Sequence, residues 1–440
     1  MTLKIKKLSA LIIGGALSSL AGGALAASEV VEKSFYPYKA DTPEFTGLTP
    51  GMVIDQSNVD QFKDIVDPAY YDFISSGMTS ITVGETTSFG LHENYVKATE
   101  EGLGKVKLGD KVGEISGWVA GRPFPAEPDM NDPRAGEKLA WNYKYGYNWG
   151  DSASIYPFYW KYRDMESGKI ERTIKFNFHF LNFKGRVNHE PKPEITPNPS
   201  DLFRATYAMV LDPSDVRNTQ LLIHRSSDDL KRDNSWLYLG FQRRVRRLAT
   251  GQVTDAFLGS DLMIEDFEGY NGRVSDMKWT YKGTRNILMP FYNHNDLELD
   301  SETHQDDDGF EMVAFSGQGG CFPNITWQLR KVYELESVPV NDSHPLSKRV
   351  HFIDAQTFTI PRTISYDRKG SMWKSFTIGQ AHPDHHLAMN KGSGVSIDDA
   401  VSMVDVQANH CTTAQFKGVI DPSLSPVTKF NTQYMRASGS

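Results

Sequence analysis

The chain has 440 residues, 39% of them hydrophobic and 12% aromatic, and a net charge of −8 at neutral pH. That length suits one large domain or two ordinary ones, and the aromatic content suits sheet faces and apolar cavities better than helical bundles. The acidic balance argues against nucleic acid as a partner, since binding there rests on a basic footprint, and leaves contact with anionic lipid to a local basic patch.

Lys4, Lys6 and Lys7 precede an apolar run over 8–20, and Ala24-Leu25-Ala26 supplies a small-x-small cleavage pattern. Residues 1–26 therefore read as a secretory signal peptide. Its apolar part is short for a membrane span, and no later stretch approaches the roughly 20 apolar residues of a spanning helix. The expectation is an exported chain, periplasmic first and fully secreted second. Cleavage would remove three lysines and no acids, so the mature chain is more acidic still. Residues 27–440 are expected to form a single large domain, with an extended arm over about 27–56 broken by Pro37, Pro43 and Pro50, and a polar C-terminal tail.

Helical signals come first. Ser57 caps a short helix reaching Val66, and Asp67-Pro68 starts another, because proline is at home in a first turn. A strand over 79–89, a helix over 92–102 ended by glycine, a strand over 114–119 and a helix over 133–148 follow. The β-rich body begins near Ser154. In 173–180 the residues Ile174, Phe176, Phe178 and Phe180 alternate with Thr173, Lys175, Asn177 and His179, the mark of a sheet with one apolar face. Further strands are expected over 204–211, 221–225, 235–239, 243–248, 276–281, 286–291, 325–338, 348–353, 359–366 and 372–378. Their close spacing implies an antiparallel meander. Phe176, Phe178, Phe180, Trp236, Trp279 and Trp327 are the candidate walls of an apolar cavity, each in an alternating strand.

Chemistry that needs fixed spacing is hard to find. Lys391-Gly-Ser-Gly-Val has the wrong order for a nucleophile elbow, and Gly317-Gln-Gly-Gly-Cys-Phe fails as a dinucleotide fingerprint. The acidic loop 300–311 places His304 and Phe315 where a calcium loop needs carboxylates. His382, Asp384, His385 and His386 lie too close together along the chain for a regular metal site. The expectation is therefore no catalytic residue, no metal and no cofactor. Cys321 and Cys411 either close one long loop as a disulfide or stand as separate buried thiols.

The arginines are the remaining chemistry. On a strand, Arg243 and Arg247 share one face while Arg244 and Arg246 share the other. Whichever face is inside needs acceptors for its guanidinium groups. Two arrangements satisfy that need. Asp261, Glu265 and Asp266, on a short helix starting at Ser260, pair with the arginines and lock helix to sheet, or some arginines hold the anionic head of a ligand at a cavity mouth.

The run Trp236-Leu-Tyr-Leu-Gly-Phe-Gln-Arg-Arg-Val-Arg-Arg, followed by Phe257-Leu-Gly-Ser-Asp-Leu-Met-Ile-Glu-Asp, resembles exported proteins related to the LolA/LolB lipoprotein-sorting carriers. Within them it is most similar to a large proteobacterial family of unknown function. Trp327-Gln-Leu-Arg-Lys-Val-Tyr, Lys348-Arg-Val-His-Phe and Asp367-Arg-Lys-Gly-Ser-Met-Trp resemble that family's closing strands. Gly240-Phe241 stands where the family turn reads Pro-Gly. The resemblance implies an α+β, β-rich fold: a strongly curved antiparallel sheet, an incomplete barrel, with helices over its concave face and an apolar cavity between. It also implies association with inner-membrane transporters of the resistance–nodulation–division (RND) type and an outer-membrane component. The expected function is a periplasmic carrier of a lipid or hydrophobic small molecule. The alternatives are a non-carrying adaptor for such a transporter, and an exported hydrolase with a non-local site.

Overall fold

The protein is described by a computed structural model over residues 29–249, 252–300 and 309–439. The expected leader, 1–26, and most of the acidic loop lie outside the described residues. Among the described residues sixteen strands join in one sheet. In chain order they are β1 (Val53–Ile54), β2 (Ile81–Val83), β3 (Ser152–Asp164), β4 (Ile170–Asn182), β5 (Leu202–Asp212), β6 (Gln220–Ser226), β7 (Asn234–Leu239) and β8 (Arg244–Arg247). They continue as β9 (Met277–Met289), β10 (Phe291–Tyr292), β11 (Thr326–Pro339), β12 (Leu346–Asp354), β13 (Arg362–Asp367), β14 (Met372–Ala381), β15 (Ile397–Asp405) and β16 (His410–Val419).

The long path runs β11-β12-β13-β14-β15-β16-β3-β4-β5-β6-β7-β8, antiparallel throughout, with β9 on the far side of β11. β9 and β8 end as separate edges, so the sheet is an unclosed barrel. β2 pairs with β11, and β10 with β14, in parallel. The expected strands over 276–281 and 286–291 are one strand bulged between Tyr281 and Gly283. Two strands overturn the expected polar tail: β15 and β16 sit in the middle of the sheet, and β16 joins β14–β15 to β3. They read as tail because they carry Ser402, Thr412 and Thr413, which are buried.

The helices are few and short. They are α1 (29–35), α2 (Pro68–Ser75), α3 (Glu93–Gly102), α4 (Ala135–Lys144) and α5 (Thr432–Ser438). Asp67 caps α2 by accepting from the amides of Ala69 and Tyr70. Helix α1 also corrects the expectation of an arm without regular structure, since Val31 and Phe35 are buried in the core. Among the described residues no helix is long and apolar enough to cross a membrane.

The curvature shows in what touches what. Phe376 and Ile378 of β14, Met403 of β15, Phe416 of β16, Phe158 and Trp160 of β3, Phe178 of β4, Val210 of β5 and Leu221 of β6 belong to one buried cluster with Phe257, Leu262 and Ile264. Strands this far apart in the sheet meet one short segment only if the sheet curls around it. The cover of the concave face is thus residues 257–269, built of 3-10 turns (Phe257–Gly259 and Ile264–Gly269), where a short helix starting at Ser260 was expected. The opposite face is covered by the N-terminal helical region, whose Tyr70 and Phe73 pack towards Trp327 of β11, and by α5, through Met435.

Candidate functional site

The cover is fastened by charges, though not by the arginines expected. Arg243, Arg244, Arg246 and Arg247 are all exposed, because β8 is the outermost strand and the cover does not reach it. The acids instead meet residues of more central strands. Arg349 of β12, fully buried, donates to Asp266 at 2.8 Å and stands 2.9 Å from Glu265. His344 reaches Glu265 at 2.8 Å. Burial alone would raise the Glu265 carboxyl, but Arg349 and His344 outweigh it and hold the group down near 2. Asp261 accepts from the Thr412 hydroxyl at 2.7 Å and lies 2.7 Å from His410 Nδ1. Ser260 and Asp261 cap no helix; the Asp266 carboxylate accepts from the Met263 amide at 2.9 Å. Glu268 and Gly269 then turn through positive φ of 60° and 97°, where a Cβ on Gly269 would lie 2.7 Å from Ile360.

Between cover and sheet lies a cavity whose walls are Trp149, Phe158, Trp160, Phe178, Phe180 and Phe416, closed above by Leu262 and Phe267. The Trp149 and Phe180 rings stack at 5.3 Å, and Phe267 stands edge-on to Phe178 at 6.2 Å. The free space is about 70 Å³, the scale of a few water molecules. A drug- or lipid-sized ligand needs about 300–1,000 Å³, so entry requires the cover to lift.

The mouth is polar. Arg204 of β5 donates to Glu268 at 3.0 Å and lies over the Phe180 ring, while its Nε and second terminal nitrogen are buried without a hydrogen-bond partner. Beyond it Arg225 is held by Asp233 at 2.9 Å, and Tyr143 of α4 donates to the Glu268 carbonyl at 2.8 Å. Asp398 of β15 opens on the same cavity and accepts from Gln380. Burial, then the charge of Glu268, raises its carboxyl well above the usual carboxylate range. A proton held more tightly by the folded than the unfolded chain costs stability as pH rises past about 4. Asp398→Asn is therefore expected to flatten the decline in unfolding free energy as pH rises above about 4, read from urea titrations. An equally steep decline in the variant would count against this assignment.

Phe178 and Phe180 of the expected wall line the cavity, and Phe176 packs behind Phe257. None of the three tryptophans is in this wall, although Trp279 lines the adjoining pocket with Arg204. Trp327 packs at 4.4 Å on Tyr70 on the opposite face, Trp236 lies near α5 with His224, and Trp279 sits beside α4 with its indole donating to Val274. Sequence reading missed β3, whose alternation is broken by a register shift between Ile155 and Phe158, and missed Arg204, a lone arginine in an apolar strand.

Cys321 and Cys411 form a disulfide that ties a loop on the opposite face to β16. The histidine run disperses: His385 is exposed, His382 lies 3.2 Å from the Ser88 carbonyl, and His386 turns inward beside Asp399 and His294. The ligand atoms of that buried trio lie within 4.8 Å of one another, and His386 Nε2 has no hydrogen-bond partner among the described residues. Asn390, fixed by accepting from the Ile420 amide and donating to the Gly418 carbonyl, points its amide at His386 Nδ1 and so leaves the proton on Nε2. His294 faces Asp399 at 2.6 Å with one nitrogen and the Glu311 carbonyl at 3.1 Å with the other.

Residues 53–436 match the family described as protein of unknown function, DUF1329. An uncharacterized protein of Pseudomonas aeruginosa is 23% identical over 367 residues, covering 80% of this chain and 71% of that one. A putative outer membrane lipoprotein-sorting protein domain from Vibrio parahaemolyticus is similar at 16% identity, covering 69% of this chain and 100% of that one with a TM-score of 0.46. A DUF1329 family protein from Desulfovibrio piger gives 17%, 69%, 100% and 0.46. A LolA superfamily protein from Nitrosomonas europaea gives 11%, 64%, 91% and 0.36.

Proposed function

The chain belongs to the DUF1329 family of proteins of unknown function, and from the geometry of its cavity we propose that it is a periplasmic carrier. It binds a lipid or other hydrophobic molecule non-covalently beneath the cover. On this reading it passes that cargo between an inner-membrane transporter of RND type and the outer membrane. The observation that supports the reading is an aromatic wall adjoining a polar pocket where Arg204, over the Phe180 ring, keeps two buried nitrogens without a partner among the described residues. The apolar part of the cargo gains about 25 cal/mol per Å² removed from water, and an anionic head meets Arg204.

Displacement of the fluorescent probe N-phenylnaphthylamine tests this. Dodecanoate and dodecanol should both displace it from the wild-type protein. Arg204→Gln should weaken dodecanoate about ten- to a hundredfold, the worth of a charged hydrogen bond, and leave dodecanol nearly unchanged. Equal loss for both ligands would remove Arg204 from the site, and failure of the probe to bind would remove the cavity. The small free volume favours a second reading, a transporter adaptor that never carries cargo. An adaptor would leave the probe unbound.

A further inference from the structure

The β7–β8 hairpin has no part in the cavity, and its surface is unlike the rest of the chain. Residues 234–254 contain four arginines and no acid, in a protein whose net charge is −8. All four, Arg243, Arg244, Arg246 and Arg247, are exposed, and none makes an ion pair among the described residues. Two acids of a neighbouring turn are occupied. In the adjoining 212–218 turn, against which Gly240 packs, Asp212 pairs with Arg217 at 3.3 Å and Asp215 with Arg172. Helix α5, which packs on this hairpin, adds exposed Arg436.

At the tip stands Phe241, 75% exposed, more so than any other large apolar side chain among the described residues. Its display is built in. The amides of Gln242 and Arg243 both donate to the Leu239 carbonyl, at 3.0 and 2.9 Å, and Arg243 turns through a φ of 50°. The turn is tight enough that Phe241 projects outward. Charged residues on an edge strand serve by themselves to prevent strand-to-strand aggregation. That role accounts for the arginines and leaves an aromatic ring at the tip unexplained. An aromatic ring beside a ring of arginines is the composition that settles at the boundary between lipid headgroups and acyl chains.

We propose that the 240–247 hairpin docks the protein on an anionic phospholipid surface, with Phe241 entering the interface and Arg243, Arg244, Arg246 and Arg247 on the headgroup phosphates. Each basic residue near such a surface is worth about fivefold in affinity. The contact needs no cargo, so its failure and that of the carrier reading are separate events.

Sedimentation with vesicles of phosphatidylglycerol and phosphatidylcholine, against phosphatidylcholine alone, is the test. The wild-type protein should partition to the anionic vesicles and be released by high salt. Arg244→Gln with Arg246→Gln should weaken partitioning about twenty-fivefold. Phe241→Ser should weaken it without changing the salt dependence. These side chains are exposed, so both variants should melt with the wild type. No partitioning of the wild-type protein, or partitioning unchanged in both variants, overturns the proposal. Capture of an acidic protein in place of anionic vesicles overturns it equally.

Discussion

Arg349→Met is expected to destabilise the protein by about 3–5 kcal/mol, because it strands two buried carboxylates. The side chain is wholly buried between β12 and the cover, and Glu265 and Asp266 face it at 2.9 and 2.8 Å. His344 offsets part of the loss at Glu265, but Asp266 keeps only the Met263 amide. The damage should be local first: hydrogen exchange over 257–271 should quicken before the sheet opens. The variant should also respond differently to acid. Glu265, held near 2 when folded, contributes stability that is present above its ordinary value of 4.5 and is lost as pH falls toward 2. Without Arg349 that acid-side loss should shrink. Urea titrations across this range decide it, and a variant as stable as the wild-type protein would show that the cover is held by packing alone.

Removing the disulfide should cost nearly as much. Cys321 and Cys411 are 90 residues apart, and closing a loop of that length removes about 4–5 kcal/mol of chain entropy from the unfolded state. Both cysteines are fully buried, and the loop carrying Cys321 also accepts a hydrogen bond from Ser402 of β15. Cys321→Ala with Cys411→Ala should lower the denaturant midpoint to match that of the reduced wild-type protein. A midpoint insensitive to reductant would mean that the loop is ordered without the bond.

Residues whose pattern is local were legible in the sequence. The alternation of Ile174, Phe176, Phe178 and Phe180 does mark a strand with its apolar face inward, and the Asp67-Pro68 start of α2 is where capping chemistry puts it. What a strand meets across the sheet is not written in its own residues. The clustered arginines of β8 look like the core's charges, yet they lie on an edge, while the wholly buried Arg330, Arg349 and Arg362 come from separate strands. Arg330 pairs with Asp354, Arg362 with Asp67 and Arg349 with the cover, and each acceptor is distant in sequence or on another element. β15 and β16 escaped notice for a related reason. A strand covered on both faces usually reads as an apolar run, whereas these carry small hydroxyl side chains that donate inside the core, as Thr412 does to Asp261 and Ser402 to the Cys321 carbonyl. The mouth of the cavity followed suit: Arg204, Glu268 and Asp398 come from β5, the cover and β15, and no spacing rule joins them.

The cavity's closed state gives the account its sharpest consequence. With only about 70 Å³ free, an acyl chain displaces Leu262 and Phe267 or does not enter, so a loaded protein differs from an empty one in its cover. The most direct measurement is mass spectrometry of the organic extract of protein purified from its native host, alongside the intact protein under native conditions. The account predicts about one amphiphile per chain, lost on unfolding, with slower hydrogen exchange over 257–271 in the loaded form than in the stripped form. An extract without lipid, and a native mass equal to that of the bare chain, would contradict it.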